Sequence, residues 1–253
     1  MNWPNDYLIP GIEPYHQEEA GIIYCGDCRD ILPLLPKVDL VFTSPPYNLN
    51  NFNKGSHYGG KLKKGTKLTY KDHSDSMDDK EYIEWQHMTI NLLFDHLQDN
   101  GAIFYNHKPR VNKGIWDDRK NLIPLPIRQT IIWDRCCMVN FNGTFYAPST
   151  ERIYIVAKPD WKPNKEYVGL GEIWRVPPET DNPHPAPFPV KLAKRVVESA
   201  SPVGGVCLDN YFGSGTLGVA AKELGRKFIG IEISEEYCEI AVKRLRQGVL
   251  DFG

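Results

Sequence analysis

Short, almost uninterrupted apolar runs recur along the chain at 38–42, 102–105, 130–133, 153–157, 206–208 and 228–231. They are too short for helices and lack the alternation of a half-exposed sheet. Runs of this kind fit strands buried on both faces, as in parallel sheets. Helical spacing fills several of the intervals. One helix is predicted to open near Ser76, where Ser76-Met77-Asp78-Asp79 fits a capping box. It carries Tyr82, Trp85, Leu92, Leu93 and Leu97 inward and stops at Asn100-Gly101. Others cover 190–199, 216–224 and 235–247. This alternation predicts an α/β fold, a Rossmann-like doubly wound and mostly parallel sheet with inserted loops. Irregular segments at 48–71, 106–127 and 158–189 break the rhythm, and segments this long are usually functional loops or linkers.

With 253 residues, 41% hydrophobic and 25% charged, the chain fits one globular domain over 1–253, and disordered and collagen-like classes are excluded. No run approaches the roughly 20 apolar residues of a membrane span. The opening MNWPNDYLIP has neither basic flank nor apolar core, so a soluble, unexported, cytoplasmic protein is expected. The net charge of −2 argues against a nucleic-acid coat protein, but a mean hides local fields. Of six cysteines, Cys25 and Cys28 form a lone CxxC with no second pair at ligand spacing, so neither a disulfide framework nor a metal site is expected.

Two stretches carry chemistry. The first runs from Leu208 through Asp209, Phe212, Gly213, Ser214, Gly215 and Thr216 to Gly218, an apolar strand entering a glycine-rich turn and a helix. Its glycines match GxGxxG, and Glu232 ends the next strand 19 residues after Gly213, placed to grip ribose hydroxyls. Alone it suggests a nicotinamide dinucleotide site. The second is the strand 38–42 running into Thr43-Ser44-Pro45-Pro46-Tyr47-Asn48. Prolines cannot donate and hold φ fixed, so this turn offers a hydroxyl, aimed carbonyls and an aromatic face. Such a turn suits a planar ring with an exocyclic amine, stacked on Tyr47 and donating to Ser44 Oγ and the Pro45 carbonyl.

At these residues the chain resembles the amino-directed DNA methyltransferases, which act on cytosine N4 or adenine N6. Ser44-Pro45-Pro46-Tyr47 is similar to their catalytic motif, and Asp209-x-x-Phe212-x-Gly213-x-Gly215-Thr216 to their methionine-binding loop. The catalytic motif comes first, as in the β-class order. Gly26-Asp27 resembles the acid near the cofactor's adenine amine, and His184-Pro185 with Phe188-Pro189 the segment at its methionine end. Glu151 and Trp174 also occupy places with family counterparts.

The resemblance implies methyl transfer from S-adenosylmethionine, leaving S-adenosylhomocysteine, to the amine of a flipped-out base in double-stranded DNA. Ser44, Pro45, Pro46 and Tyr47 are the implied catalytic residues. Asp27, Thr43, His184, Phe188, Asp209, Phe212, Gly213, Ser214, Gly215, Thr216 and Glu232 are the implied cofactor residues. Ser44 favours cytosine N4, with adenine N6 as the alternative; an inactive DNA- or cofactor-binding homologue is a further one. Lysines 54, 61, 63, 64, 67 and 71 follow the catalytic turn with no acid among them. Segment 48–78 therefore reads as an inserted arm whose Asn48, Lys54, Lys61, Lys63, Lys64 and Lys67 contact DNA. The competing reading is a solvated loop paired with the acids from Asp72 to Glu84. Segment 158–183 would be a short target-recognition region. A cognate restriction endonuclease and a homodimer are the further partners that the resemblance suggests.

Overall fold

The computed structural model describes residues 2–48, 77–112, 114–137, 146–179 and 188–247. In chain order the elements are β1 (His16–Glu18), β2 (Gly21–Cys25), α1 (Cys28–Ile31), β3 (Val38–Thr43), α2 (Asp79–Asp95), β4 (Leu97–His107), β5 (Arg110–Asn112) and β6 (Ile115–Asp117). There follow β7 (Gln129–Asp134), β8 (Thr150–Ala157), β9 (Ile173–Arg175), α3 (Val190–Ala200), β10 (Val206–Asp209), α4 (Thr216–Glu223), β11 (Lys227–Glu232) and α5 (Glu235–Gln247).

Nine strands form one sheet in the order β1-β2-β11-β10-β3-β4-β8-β7-β9. The run from β2 to β4 is parallel, and its apolar residues are buried on both faces. One face packs under α3, α4 and α5 through Leu192, Val196, Leu217 and Ala241. The other packs under α1 and α2 through Ile31, Tyr82, Ile90 and Leu93. No helix among the described residues is long and apolar enough to cross a membrane.

All six predicted strands form, but β8 runs antiparallel to both β4 and β7. The mostly parallel reading therefore holds for the centre of the sheet, and this flank is mixed. Antiparallel neighbours need no crossover, and the described residues of the β7–β8 connection, 135–137 and 146–149, contain no helix. Helix α2 starts later than expected: Asp78, not Ser76, is its cap, and its carboxylate accepts from Lys80 N at 2.9 Å. It also stops earlier, so Leu97 opens β4 opposite Val38 rather than closing the helix. Asn100-Gly101 lies in an irregularity of the β3–β4 pairing, where a turn signal serves a bulge instead of a helix end.

The chain leaves β3 toward β4 on one side and β10 toward β11 on the other, although β3 and β10 are paired neighbours. The strand order therefore reverses between them. In open α/β sheets, ligands bind beyond the carboxyl ends of strands at such a reversal. Both chemistry-bearing stretches of the sequence end there.

Candidate active site

Strand β3 delivers residues 44–48 to this edge. Ser44 Oγ lies 2.8 Å from the Tyr47 hydroxyl, which lies 3.1 Å from Glu151 Oε2 at the start of β8. Asn106, near the end of β4, donates from Nδ2 to the Tyr47 hydroxyl and to Glu151 Oε2, each at 2.9 Å. Arg135 pairs with the other Glu151 oxygen at 3.2 Å. These partners fix the direction of donation. A carboxylate only accepts, so Tyr47 donates to Glu151, and Ser44 in turn donates to Tyr47. Asn106 Nδ2 also reaches Ser44 Oγ, at 3.4 Å, which leaves the other Ser44 lone pair to accept from outside. Tyr47 is buried, with one side of its ring against His107 at a centroid distance of 4.7 Å.

Across the reversal point, Thr43 donates to Asp209 Oδ1 at 2.8 Å, joining β3 to β10. Tyr211 N donates to the same oxygen at 3.0 Å. Burial nevertheless pushes the Asp209 carboxyl up to about 7, because these donors and its few neighbours do not replace water. The turn beyond it is held open by glycine: Gly213 and Gly215 have φ of 50° and 78°, the left-handed region. Glu232, at the end of β11, accepts from Gly213 N at 2.7 Å and Ser234 N at 3.0 Å. Asp27 caps α1 and pairs with Arg29 beside it. Because Cys25 and Glu232 are register partners, Asp27 and Glu232 leave adjacent strands side by side. Three acidic side chains at the ends of neighbouring strands, around a left-handed glycine turn, are an acceptor set that fits a ligand with ribose hydroxyls and amino groups.

Several sequence-assigned residues take a different part. The Phe212 side chain turns inward, packing on Phe228 at 5.7 Å and against Gly230, and lies beneath Gly215 of the turn. Phe188 packs on Phe42 at 4.3 Å. Asn48, expected to contact DNA, is buried: its amide donates to Met77 O at 2.8 Å and accepts from Met77 N at 2.7 Å. Its φ of 53° needs such a tether. The contact expectation gives way to a clasp between the two ends of segment 49–76. Of the acidic run, Asp78 caps α2 and Asp79 pairs with Arg119 and Arg110. His184, Lys54, Lys61, Lys63, Lys64 and Lys67 lie outside the described residues.

Sequence reasoning missed Asn106, Arg135, His107 and Arg244. Arg244 reaches from α5 to the glycine turn, donating to Ser214 O at 2.7 Å and Thr216 Oγ1 at 3.1 Å. Nothing local marks these four; each acts on a turn tens of residues away. Strand β2 was also missed, although Ile22-Ile23-Tyr24 between Gly21 and Gly26 carried the signal.

The N6/N4 methyltransferase family, described as DNA methylase, matches residues 38–243. Type II methyltransferase M.ScaI of Streptomyces caespitosus is 29% identical, over 92% of this chain and 84% of that one. Type II methyltransferase M2.LlaDCHI of Lactococcus lactis subsp. cremoris is 27% identical, over 96% and 97%. The PvuII cytosine-N4-specific DNA methyltransferase superposes with a TM-score of 0.73 at 19% identity, over 92% of this chain and 89% of that one, which shows the shared fold. A candidate DNA modification methylase from Thermus thermophilus, complexed with S-adenosyl-L-methionine, superposes with a TM-score of 0.65 at 25% identity, over 92% and 97%.

Proposed function

Since the chain belongs to the N6/N4 DNA methylase family, S-adenosylmethionine-dependent enzymes that act on DNA, we propose that it methylates the exocyclic amine of a flipped-out base, cytosine N4 in preference to adenine N6. One observation carries the reading of the site. The chain of donation from Ser44 to Tyr47 to Glu151 leaves Ser44 as an acceptor beside the Pro45 carbonyl.

The nitrogen of a base amine is a poor nucleophile because its lone pair is delocalised into the ring. Two acceptors on the amine's protons favour a pyramidal nitrogen and free that pair. When bound, S-adenosylmethionine supplies an electrophilic methyl group on a sulfonium sulfur. Asp27 and Glu232 would hold its adenosine end; Asp209, the backbone of 212–216, and His184 would hold its methionine end. Pro45 and Pro46 keep the acceptors rigid, and positioning of this kind is worth up to roughly 7–11 kcal/mol in well-aligned systems. The Tyr47 face away from His107 takes the base by stacking, worth about 1–3 kcal/mol. The proton that the methylated amine sheds passes through Ser44 and Tyr47 to Glu151. Inside a duplex the amine is out of reach, so the base leaves the stack at a cost of a few kcal/mol.

The preference for cytosine rests on Ser44. A hydroxyl accepts from the amine and donates elsewhere, as it does here to Tyr47, whereas a carboxylate only accepts. The lysines of 48–78 support a DNA-contacting arm, and 158–183 a short recognition segment within a single catalytic domain over 1–253. The type II designation of the relatives accords with a partner endonuclease. The test is digestion to nucleosides of unmethylated DNA treated with enzyme and cofactor, followed by mass spectrometry. N4-methylcytosine is expected; N6-methyladenine as the only product overturns the base preference and leaves the amine chemistry standing.

A further inference from the structure

Proline fixes φ at Pro45 and Pro46, so the direction of these two carbonyls depends on ψ alone, while that of Tyr47 depends on both dihedrals. Two buried side chains from behind the turn settle it. Tyr82, on α2, donates to Pro46 O at 2.8 Å. Arg110, on β5, donates from Nη2 to Tyr47 O and reaches Asn48 O at 3.5 Å. No described residue donates to Pro45 O. Capturing the second and third carbonyls on the α2 side leaves the first for the site.

The captors are themselves held. Asp79, in the first turn of α2, accepts from Arg110 Nη1 at 3.4 Å and from both terminal nitrogens of Arg119, at 2.8 and 3.0 Å. Arg119 is almost fully buried and sits at φ 64°, a conformation that surrounding contacts must enforce. The two guanidinium groups lie 5.9 and 5.6 Å from the centre of the Tyr82 ring. His107 Nδ1 faces the Lys108 carbonyl at 2.9 Å and therefore carries the ring proton, so Nε2 competes for the Tyr82 proton at 3.1 Å. Burial and the Arg110 charge hold the His107 ring neutral. The shorter contact goes to Pro46 O.

Resting on the functional reading above, we propose that Tyr82 and Arg110 are positioning residues that turn the Pro46 and Tyr47 carbonyls away from the substrate, so that the Pro45 carbonyl and the Ser44 hydroxyl together receive the target amine. Neither touches the substrate. Losing either returns freedom to ψ at one residue and blurs the acceptor pair, while the cofactor cradle on β10 and β11 is untouched.

The test is steady-state methyl transfer from labelled S-adenosylmethionine to unmethylated plasmid DNA, with cofactor affinity measured by calorimetry. Tyr82→Phe removes one hydroxyl; Arg110→Ala removes the fork, and Arg110→Lys restores a single charged donor. We expect kcat to fall about 10- to 100-fold in Tyr82→Phe and Arg110→Ala, with Arg110→Lys between them and wild type. KM for DNA and Kd for the cofactor should stay within about twofold, because a step made only in the transition state is lost. Should Arg110→Ala fail to fold, Tyr82→Phe carries the test alone. A lowered Tm with unchanged kcat makes the pair merely structural and overturns the proposal, as does a raised KM with unchanged kcat. A wild-type chain that transfers no methyl to DNA overturns the functional reading, and the positioning role falls with it.

Discussion

Asp209 holds its carboxyl in buried surroundings that disfavour its charge, which ties its contribution to stability to pH. Folded, it titrates near 7, against an ordinary 3.8. Between those values the folded chain keeps a proton that the unfolded chain has released, so its contribution to stability falls as pH rises from about 4 to about 7 and is level beyond. About three pKa units correspond to something on the order of 4 kcal/mol. Asp209→Asn keeps an oxygen for Thr43 and Tyr211 N and removes the titration. We expect the ligand-free variant to melt higher than wild type at pH 8, to converge with it near pH 4.5, and to bind S-adenosylmethionine more weakly in calorimetry. Equal melting at pH 8 contradicts this. Glu151 makes the complementary case. Glu151→Gln can no longer take the shed proton, and kcat should fall at least 100-fold, the lower range for a lost general base, with cofactor affinity unchanged. A wild-type kcat would remove Glu151 from the chemistry.

At the scale of elements, six of the eleven described strands were legible because burial on both faces leaves a plain apolar run, and the turns because glycine and proline mark them locally. The boundaries of α2 were not, since Leu97 suits a helix face and a buried strand equally, and pairing with Val38 decides between them. Glycine in strands shows the same limit. Gly230 on β11 has no local role, yet a Cβ there would enter the Phe212 ring, which lies beneath the glycine turn. Gly230→Ala is expected to lower stability by about 1–3 kcal/mol through overpacking, with weaker cofactor binding. Denaturant melts at an unchanged midpoint would show that Phe212 is free to move. The DNA-contacting arm proposed for residues 48–78 makes a separate prediction. Replacing Lys61, Lys63, Lys64 and Lys67 by Gln should flatten the slope of log K against log salt by roughly 0.9 for each phosphate that is no longer neutralised. An unchanged slope leaves the arm a solvated loop.

For the whole molecule, the ordered set of motifs was readable, but the way they meet was not. Residues 44 and 209 are far apart in the chain, and only the reversal of strand order between β3 and β10 makes them neighbours. Asn106, Arg110 and Arg244 belong to that second level, where a side chain serves a turn reached through the fold. What the assembled edge does is tested most directly by a single-turnover transfer of labelled methyl to unmethylated DNA by wild type and by Ser44→Ala, with the nucleosides resolved afterwards. We expect label on a base amine with wild type and loss of nearly all of it in the variant, whose cofactor binding is retained. Label on a ring carbon, or equal labelling by Ser44→Ala, contradicts amine methylation at this turn.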